Sequence, residues 1–265
     1  MAFTLALAQC GTPADDDVLA QVESYAAAAE QAGAQLLVFP EALMFPHRLS
    51  ADELREAAEP LDGPFAQRVA ASAARHNLWI AFALYEANVE KRRPFNTAVV
   101  VDDAGAIRAR YRKCHLYDAH GECESDRTDK GDAFCPPVVT PFCTLGLGIC
   151  YDLRFPEHAR AAAIAGCDLI VYPAAWYDGP HKREHWETLL RARAIENECF
   201  VAGVCRAGEK FVGASLVAGP LGEVLAQGPK STHQALVTAT VDLTKVASAR
   251  DKMPIFAHRR PDLYS

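Results

Sequence analysis

Stretches that read as strands are apolar at consecutive positions, and they alternate along the chain with Ala-rich or amphipathic stretches that read as helices. "FTLALAQ", "QLLVFP", "LWIAFALYE", "NTAVVVDD", "LGLGIC", "CDLIVYP" and "CFVAGVC" carry too few polar positions for one face to meet water. A strand buried on both faces belongs to a sheet covered on both sides, by helices or by a second sheet. Two β layers between two helical layers satisfy every segment, so the expected fold is α/β, a four-layer α-β-β-α sandwich. No repeat, linker or low-complexity tract interrupts the pattern, and residues 1–265 are expected to form a single domain.

The punctuation supports this reading. Residues 13–32 form an expected helix with Asp residues in its first turn and Gly33 where a C′ residue belongs. Pro40 stops the strand "QLLVFP". "FAQRVAASAARHN", "FPEHARAAAIAG" and "KREHWETLLRARAIENE" read as helices, and "AIRARYRK" and "ALVTATVDL" as strands. "GASLVAGPLGEVLAQG" reads as a hairpin around Pro220, Leu221 and Gly222.

Composition excludes several classes of partner. A net charge of −7 offers no electrostatic footprint for nucleic acid or an anionic membrane surface. Nine cysteines, an odd number without framework spacing in a chain too large to need staples, fit a reducing compartment. The opening "MAFTLALAQCGTP" has no basic n-region and reads as a first strand rather than a signal peptide, and no run is long enough for a membrane helix. A cytoplasmic protein is the expectation.

Three polar side chains stand where strands stop: Glu41 after "LLVFP", Lys113 after "IRARYR" and Cys150 after "LGLGI". Such ends hold a side chain on a rigid sheet yet open onto a crevice. A thiol attacks as thiolate, a carboxylate can take its proton, and an ammonium can stabilise thiolate and developing oxyanion. Singly, each has a plainer reading: Cys150 as a small buried hydrophobe, Glu41 as a helix-start carboxylate, Lys113 as a solvated strand end.

The surrounding motifs decide between these readings. "VFPEALMF", "NTAVVVDDAGAIRARYRKCHL", "GLGICYDLRFPE", "HWETLLRARAIENECFV" and the closing "PIFAHRRPDLY" occur in an order that resembles the nitrilase, or carbon-nitrogen hydrolase, superfamily, from near Phe3 to Tyr264. "CES", "CYDLRFPE", "LLRARAIE" and "HRRPDLY" resemble most the branch that includes deaminated glutathione amidase, with the ω-amidase branch a close second.

The resemblance implies a four-layer sandwich of the nitrilase type and a catalytic Glu41-Lys113-Cys150 triad, with Glu124 as a further family glutamate. It implies hydrolysis of a small, carboxylate-bearing amide to acid and ammonia through a cysteine thioester, deaminated glutathione being one such amide. No cofactor or metal is implied, and the expected assembly is a homodimer or higher homo-oligomer paired through the helix after the cysteine. The Tyr151 backbone N–H is expected to join Lys113 at the oxyanion. Arg154, four residues past the nucleophile, would grip a substrate carboxylate; the alternative is a salt bridge to Asp152 or Glu157 that shapes the turn. Trp176 is a further pocket candidate.

Two departures bear on substrate. The segment from Lys113 to Glu124 is several residues shorter than the resemblance implies, and Ala214 in "VGASLV" stands where the branch often has His. A nucleotide-hydrolase domain fused in front of the matched region, as occurs in some animal relatives, is not expected. Other readings are a general aliphatic amidase, an acyltransferase sharing the thioester, and a non-catalytic assembly protein on the same fold. Cys114, His115, His120 and Cys123 crowd together, but their spacing fits no zinc ribbon or His-Glu-x-x-His helix. Ser215 lacks a complete Gly-x-Ser-x-Gly elbow.

Overall fold

A computed structural model describes residues 1–11, 17–45, 49–90 and 93–263. The first half of the chain runs β1 (Ala2–Gln9), α1 (Val18–Gln31), β2 (Leu36–Val38), α2 (Ala51–Ala57), α3 (Pro64–His76), β3 (Trp79–Glu86), β4 (Phe95–Val101) and β5 (Ile107–Arg112). A small hairpin, β6 (Asp118–Ala119) and β7 (Glu122–Cys123), leads to β8 (Val138–Val139) and β9 (Thr144–Leu147). The rest comprises α4 (Pro156–Ile164), β10 (Leu169–Ala174), α5 (Lys182–Asn197), β11 (Phe200–Cys205), β12 (Leu216–Ala218), β13 (Val224–Gln227), β14 (Ala235–Asp242), α6 (Thr244–Lys252) and α7 (Ile255–His258).

Two six-stranded sheets result, in the orders β14-β1-β2-β3-β4-β5 and β13-β12-β11-β10-β9-β8. Each has a parallel centre, β1-β2-β3 and β9-β10-β11, flanked by antiparallel strands. The period of two along each strand explains why consecutive apolar residues were needed. Leu5 and Leu7 of β1 face the core between the sheets while Ala6 and Ala8 face α1 and α3; Leu36 and Val38 part in the same way from Leu37 of β2. On the far side α5 packs on β11 and β12, and α4 on β9. Trp186 of α5 lies so close that a Cβ on Gly203 of β11 would stand 2.5 Å from its ring. The α-β-β-α order expected from the sequence is the order observed.

Local departures have local causes. Residues 13–16 of the first expected helix lie outside the described residues, and no acidic residue occupies its first turn; Asp17 is instead the N-cap, accepting from Ala20 N at 2.8 Å. At its other end Gly33 takes φ +68°, the left-handed C′ position. The strand "LGLGI" ends at Leu147, short of the thiol, and Cys150 opens a 3₁₀ turn over Cys150–Arg154. The helices α2 and α6 were not foreseen; neither α2, seven residues long, nor α6, with two buried side chains, presents a long apolar stripe. No helix among the described residues is long and apolar enough to cross a membrane.

On the outer face His76 of α3 bridges two carboxylates of α1, Glu30 at 2.7 Å and Glu23 at 2.9 Å. The Glu30 hydrogen bond, working against burial, raises the imidazole above its ordinary 6.5, helped by Glu23. A raised folded-state value gives stability that is complete below about pH 6.5 and is lost as pH rises through the folded value. His76→Gln should therefore cost most stability near pH 5.5 and least near about pH 9 in parallel thermal melts. A pH-independent difference would show that the bridge carries no proton linkage.

Candidate active site

Each central strand delivers one side chain to a common mouth. Glu41 follows β2, Cys150 follows β9 and Ala175 follows β10, all at carboxyl ends of parallel strands; Lys113 follows β5. The Lys113 N–H donates to the Asn96 carbonyl across the β4-β5 ladder at 2.9 Å, which fixes where the lysine leaves the sheet. Glu124 comes back to Lys113 through the β6-β7 hairpin, whose two turn residues, His120 and Gly121, both have positive φ, +56° and +81°. A two-residue turn of that hand reverses the chain at once, which is how so short a segment returns a carboxylate to the lysine.

The resulting cluster is buried and closely bonded. Lys113 Nζ lies 2.9 Å from Glu41 Oε1 and 2.7 Å from Glu124 Oε2. Asn96 Nδ2 donates to the same two groups, at 2.8 Å to Glu41 Oε1 and 3.1 Å to Glu124 Oε1. The Ala175 N–H donates to Glu41 Oε2 at 2.8 Å and the Tyr117 N–H to Glu124 Oε2 at 2.7 Å. Cys150 stands in the same pocket, where the Glu41 carboxylate, the Lys113 ammonium and the Ala175 N–H all act on its thiol. Glu41, Lys113 and Cys150 are 5, 2 and 9% exposed, so these interactions act in a low local dielectric.

Electrostatics set the protons. Burial pushes the Glu41 carboxyl up, but the Lys113 ammonium, its hydrogen bond and the Ala175 N–H outweigh burial and hold it below the usual carboxylate range. Burial would neutralise Lys113, yet Glu124 and Glu41 keep it protonated, well above its ordinary value. Burial and the Glu41 charge drive the Cys150 thiol far up, against the pull of Lys113. The resting arrangement is a carboxylate, an ammonium and a neutral thiol: a base next to a proton it can take when the thiol attacks. Cys150 has φ +45° and Ala42, beside the base, φ +54°; non-glycine residues held in the left-handed region cluster where a turn must aim a side chain.

Around this cluster lies a pocket that opens to solvent. Tyr151, Arg154, Trp176 and Lys182 line it with the four charged and thiol groups above. The Arg154 guanidinium lies 4.6 Å over the Trp176 ring. It makes no salt bridge among the described residues: Asp152 is engaged by Tyr111, His115 and the Ile149 N–H. The turn-shaping alternative for Arg154 is therefore not the arrangement found. Tyr151 stands at the start of the 3₁₀ turn, where backbone N–H groups lack intrahelical acceptors.

Other candidates sit elsewhere. Ser215 is fully buried, its hydroxyl accepting from Cys205 N at 3.0 Å. Ala214, at φ +47°, offers its carbonyl to the Trp186 indole at 3.0 Å and is not a pocket residue. His115 turns Nδ1 to Asp152 Oδ1 at 2.7 Å, Cys123 is exposed, and no three metal-ligating side chains are grouped among the described residues. Sequence reasoning missed Asn96 and the Ala175 N–H. The first had a signal, since a buried amide in the mostly apolar "FNTAVVV" needs a partner; the second had none.

A thiol, two carboxyl groups and an ammonium closed into one pocket of this layered fold define a hydrolase acting on carbon-nitrogen bonds, and the family model described as "Carbon-nitrogen hydrolase" matches residues 4–251. The chain belongs to the carbon-nitrogen hydrolase family. Human deaminated glutathione amidase is 37% identical over 252 residues, covering 89% of this chain and 75% of its own. Human omega-amidase NIT2 is 36% identical, with 99% and 97% covered. The solved NitFhit protein of Caenorhabditis elegans superposes with a TM-score of 0.90 at 32% identity, over all of this chain and 66% of that longer one. The E41Q mutant of an amidase from Nesterenkonia sp. AN1, 25% identical with a TM-score of 0.80 over 99% of this chain and 95% of its own, carries the acetamide moiety of fluoroacetamide covalently at its active-site cysteine.

Proposed function

We propose that this protein is an amidase that cleaves a small carboxylate-bearing amide through a Cys150 thioester. The observation that carries the proposal is the bonded set Glu41-Lys113-Glu124 lining one pocket with Cys150. Glu41 takes the thiol proton as Cys150 Sγ attacks the amide carbon, and the carbonyl oxygen gains the negative charge. The Lys113 ammonium and the Tyr151 N–H hold that oxyanion. As the C–N bond breaks, Glu41 returns the proton to the leaving nitrogen and ammonia departs, leaving the thioester. Glu41 then takes a proton from water, hydroxide adds to the thioester, and the acid leaves as the thiol is restored. Glu124, 2.7 Å from Nζ, orients the ammonium.

Arg154 sets the substrate class in this reading. It faces the pocket, stacked on Trp176 and without a carboxylate partner among the described residues, which supports a grip on a substrate carboxylate. Amides with such a group include deaminated glutathione and the ω-amides, and two relatives at nearly equal identity, one named for each activity, support both. Ammonia and acid release should be followed across α-ketoglutaramate, deaminated glutathione and neutral aliphatic amides. Wild type should prefer the acids, and Arg154→Ala should raise KM for an acidic amide by about tenfold or more, as expected for a lost charge-assisted hydrogen bond, while leaving its neutral analogue unchanged. Equal effects on both would defeat the grip, and no turnover of any amide would defeat the amidase reading.

All nine cysteines are free thiols, which supports function in a reducing, cytoplasmic setting. Pairing through α4, whose Ile164 is exposed, is part of the same proposal, and light scattering on the purified protein decides it.

A further inference from the structure

Asp152 lies two residues past the thiol, has no exposed surface and does not line the pocket. Its carboxylate accepts four hydrogen bonds. Oδ2 accepts from the Ile149 N–H at 2.8 Å and the Tyr111 hydroxyl at 2.9 Å; Oδ1 accepts from the His115 N–H at 3.2 Å and from His115 Nδ1 at 2.7 Å. Because a carboxylate only accepts, Nδ1 carries the proton. Tyr111 in turn accepts from the Cys114 N–H at 3.2 Å. Ile149 immediately precedes the nucleophile, while Tyr111 and His115 stand two residues before and two residues after Lys113.

One buried carboxylate thus ties the turn that aims Cys150 to both flanks of the segment that aims Lys113. Those segments belong to different sheets, β5 in one and β9 in the other. Glu41 and Glu124, by contrast, hold Lys113 by its ammonium alone. The His115 ring is held flat against Phe155, 3.7 Å between centroids and 9° between planes, so its Nδ1–H is directed and not swinging.

Resting on the catalytic reading above, we propose that Asp152, with His115, is the positioning pair that sets the distance between nucleophile and oxyanion-holding lysine. It touches neither substrate nor reacting atoms. Its effect belongs in kcat, because a displaced ammonium weakens the transition state while leaving the pocket walls in place; a misplacement near 1 Å costs about 10²-fold.

His115 variants separate this role from a general structural one. His115→Ala removes both the stack on Phe155 and the hydrogen bond to Asp152. His115→Asn removes the stack but places an amide N–H where Nδ1–H was. With one of four bonds lost, His115→Ala should lower kcat by about tenfold at unchanged KM, and His115→Asn should restore it to within about threefold of wild type. The alkylation rate of Cys150 by iodoacetamide, assigned by mass spectrometry, should follow the same order. Tyr111→Phe, which leaves the other three bonds, should show the same kcat-only loss. Equal losses in the Ala and Asn variants would overturn the proposal, as would a fall in melting temperature with kcat intact. A wild-type Cys150 inert to iodoacetamide would instead sink the catalytic reading and this pairing with it.

Discussion

Lys113→Ala should lower kcat by about two to three orders of magnitude, the usual cost of losing one oxyanion donor. It should also do something a simple oxyanion donor would not. The ammonium is the cation that Glu41 and Glu124 share at 2.9 and 2.7 Å, and its removal leaves two buried carboxyl groups facing each other through Asn96. Breaking a buried pair by deleting one partner costs about 3–5 kcal/mol. The two acids then relieve themselves by binding protons, so their folded-state pKa values rise above the unfolded ones. Acids raised in this way favour folding below the unfolded value and lose that contribution as pH rises through the folded one. The variant should therefore be relatively most stable near about pH 4.5 and lose ground to wild type toward about pH 8 in denaturant titrations. A variant that turns over amide at near the wild-type rate would remove Lys113 from the mechanism; a stability gap flat in pH would show that the carboxylates do not depend on it.

Glu41→Gln should lower kcat by about 10²- to 10⁴-fold, the range of a lost general base. Gln keeps the shape but not the bonding. All the protein donors around Glu41 point inward: Lys113 and Asn96 on Oε1, Ala175 N–H on Oε2. Whichever way the amide is turned, its NH₂ meets a donor, and the less costly choice sets it against the single Ala175 N–H. The thiol then faces no proton acceptor. Alkylation of Cys150 should slow in the same variant even though the carboxylate charge that raised the thiol is gone, because nothing nearby receives the proton. Faster alkylation than wild type would mean that Glu41 acts on Cys150 only through its charge and not as its base.

Much of this was legible before any fold was known, and the parts that were have a common cause. Burial on both faces is written locally, in runs such as "LLVFP" and "CFVAGVC", so the layers followed from periodicity alone. Polar residues at the ends of those runs marked Glu41, Lys113 and Cys150 as candidates, and the family resemblance chose the catalytic reading over the plainer ones. The assignment of Glu124 came only through family resemblance, since the carboxylate follows no strand of the two six-stranded sheets and reaches the lysine by a two-residue turn.

What the order of residues determined by itself is which runs are apolar on both faces and which polar side chains stand near their ends, because those depend on neighbours one to four positions away. Which strand lies beside which was decided only in the folded chain. Glu41 meets Lys113 across 72 positions and Ala175 across 134, and β14 closes the first sheet against β1 from the far end of the sequence. An apolar face demands a cover without specifying it. The clamp at Asp152, the amide of Asn96 and the freedom of Arg154 from its neighbouring acids all arise from that choice of cover.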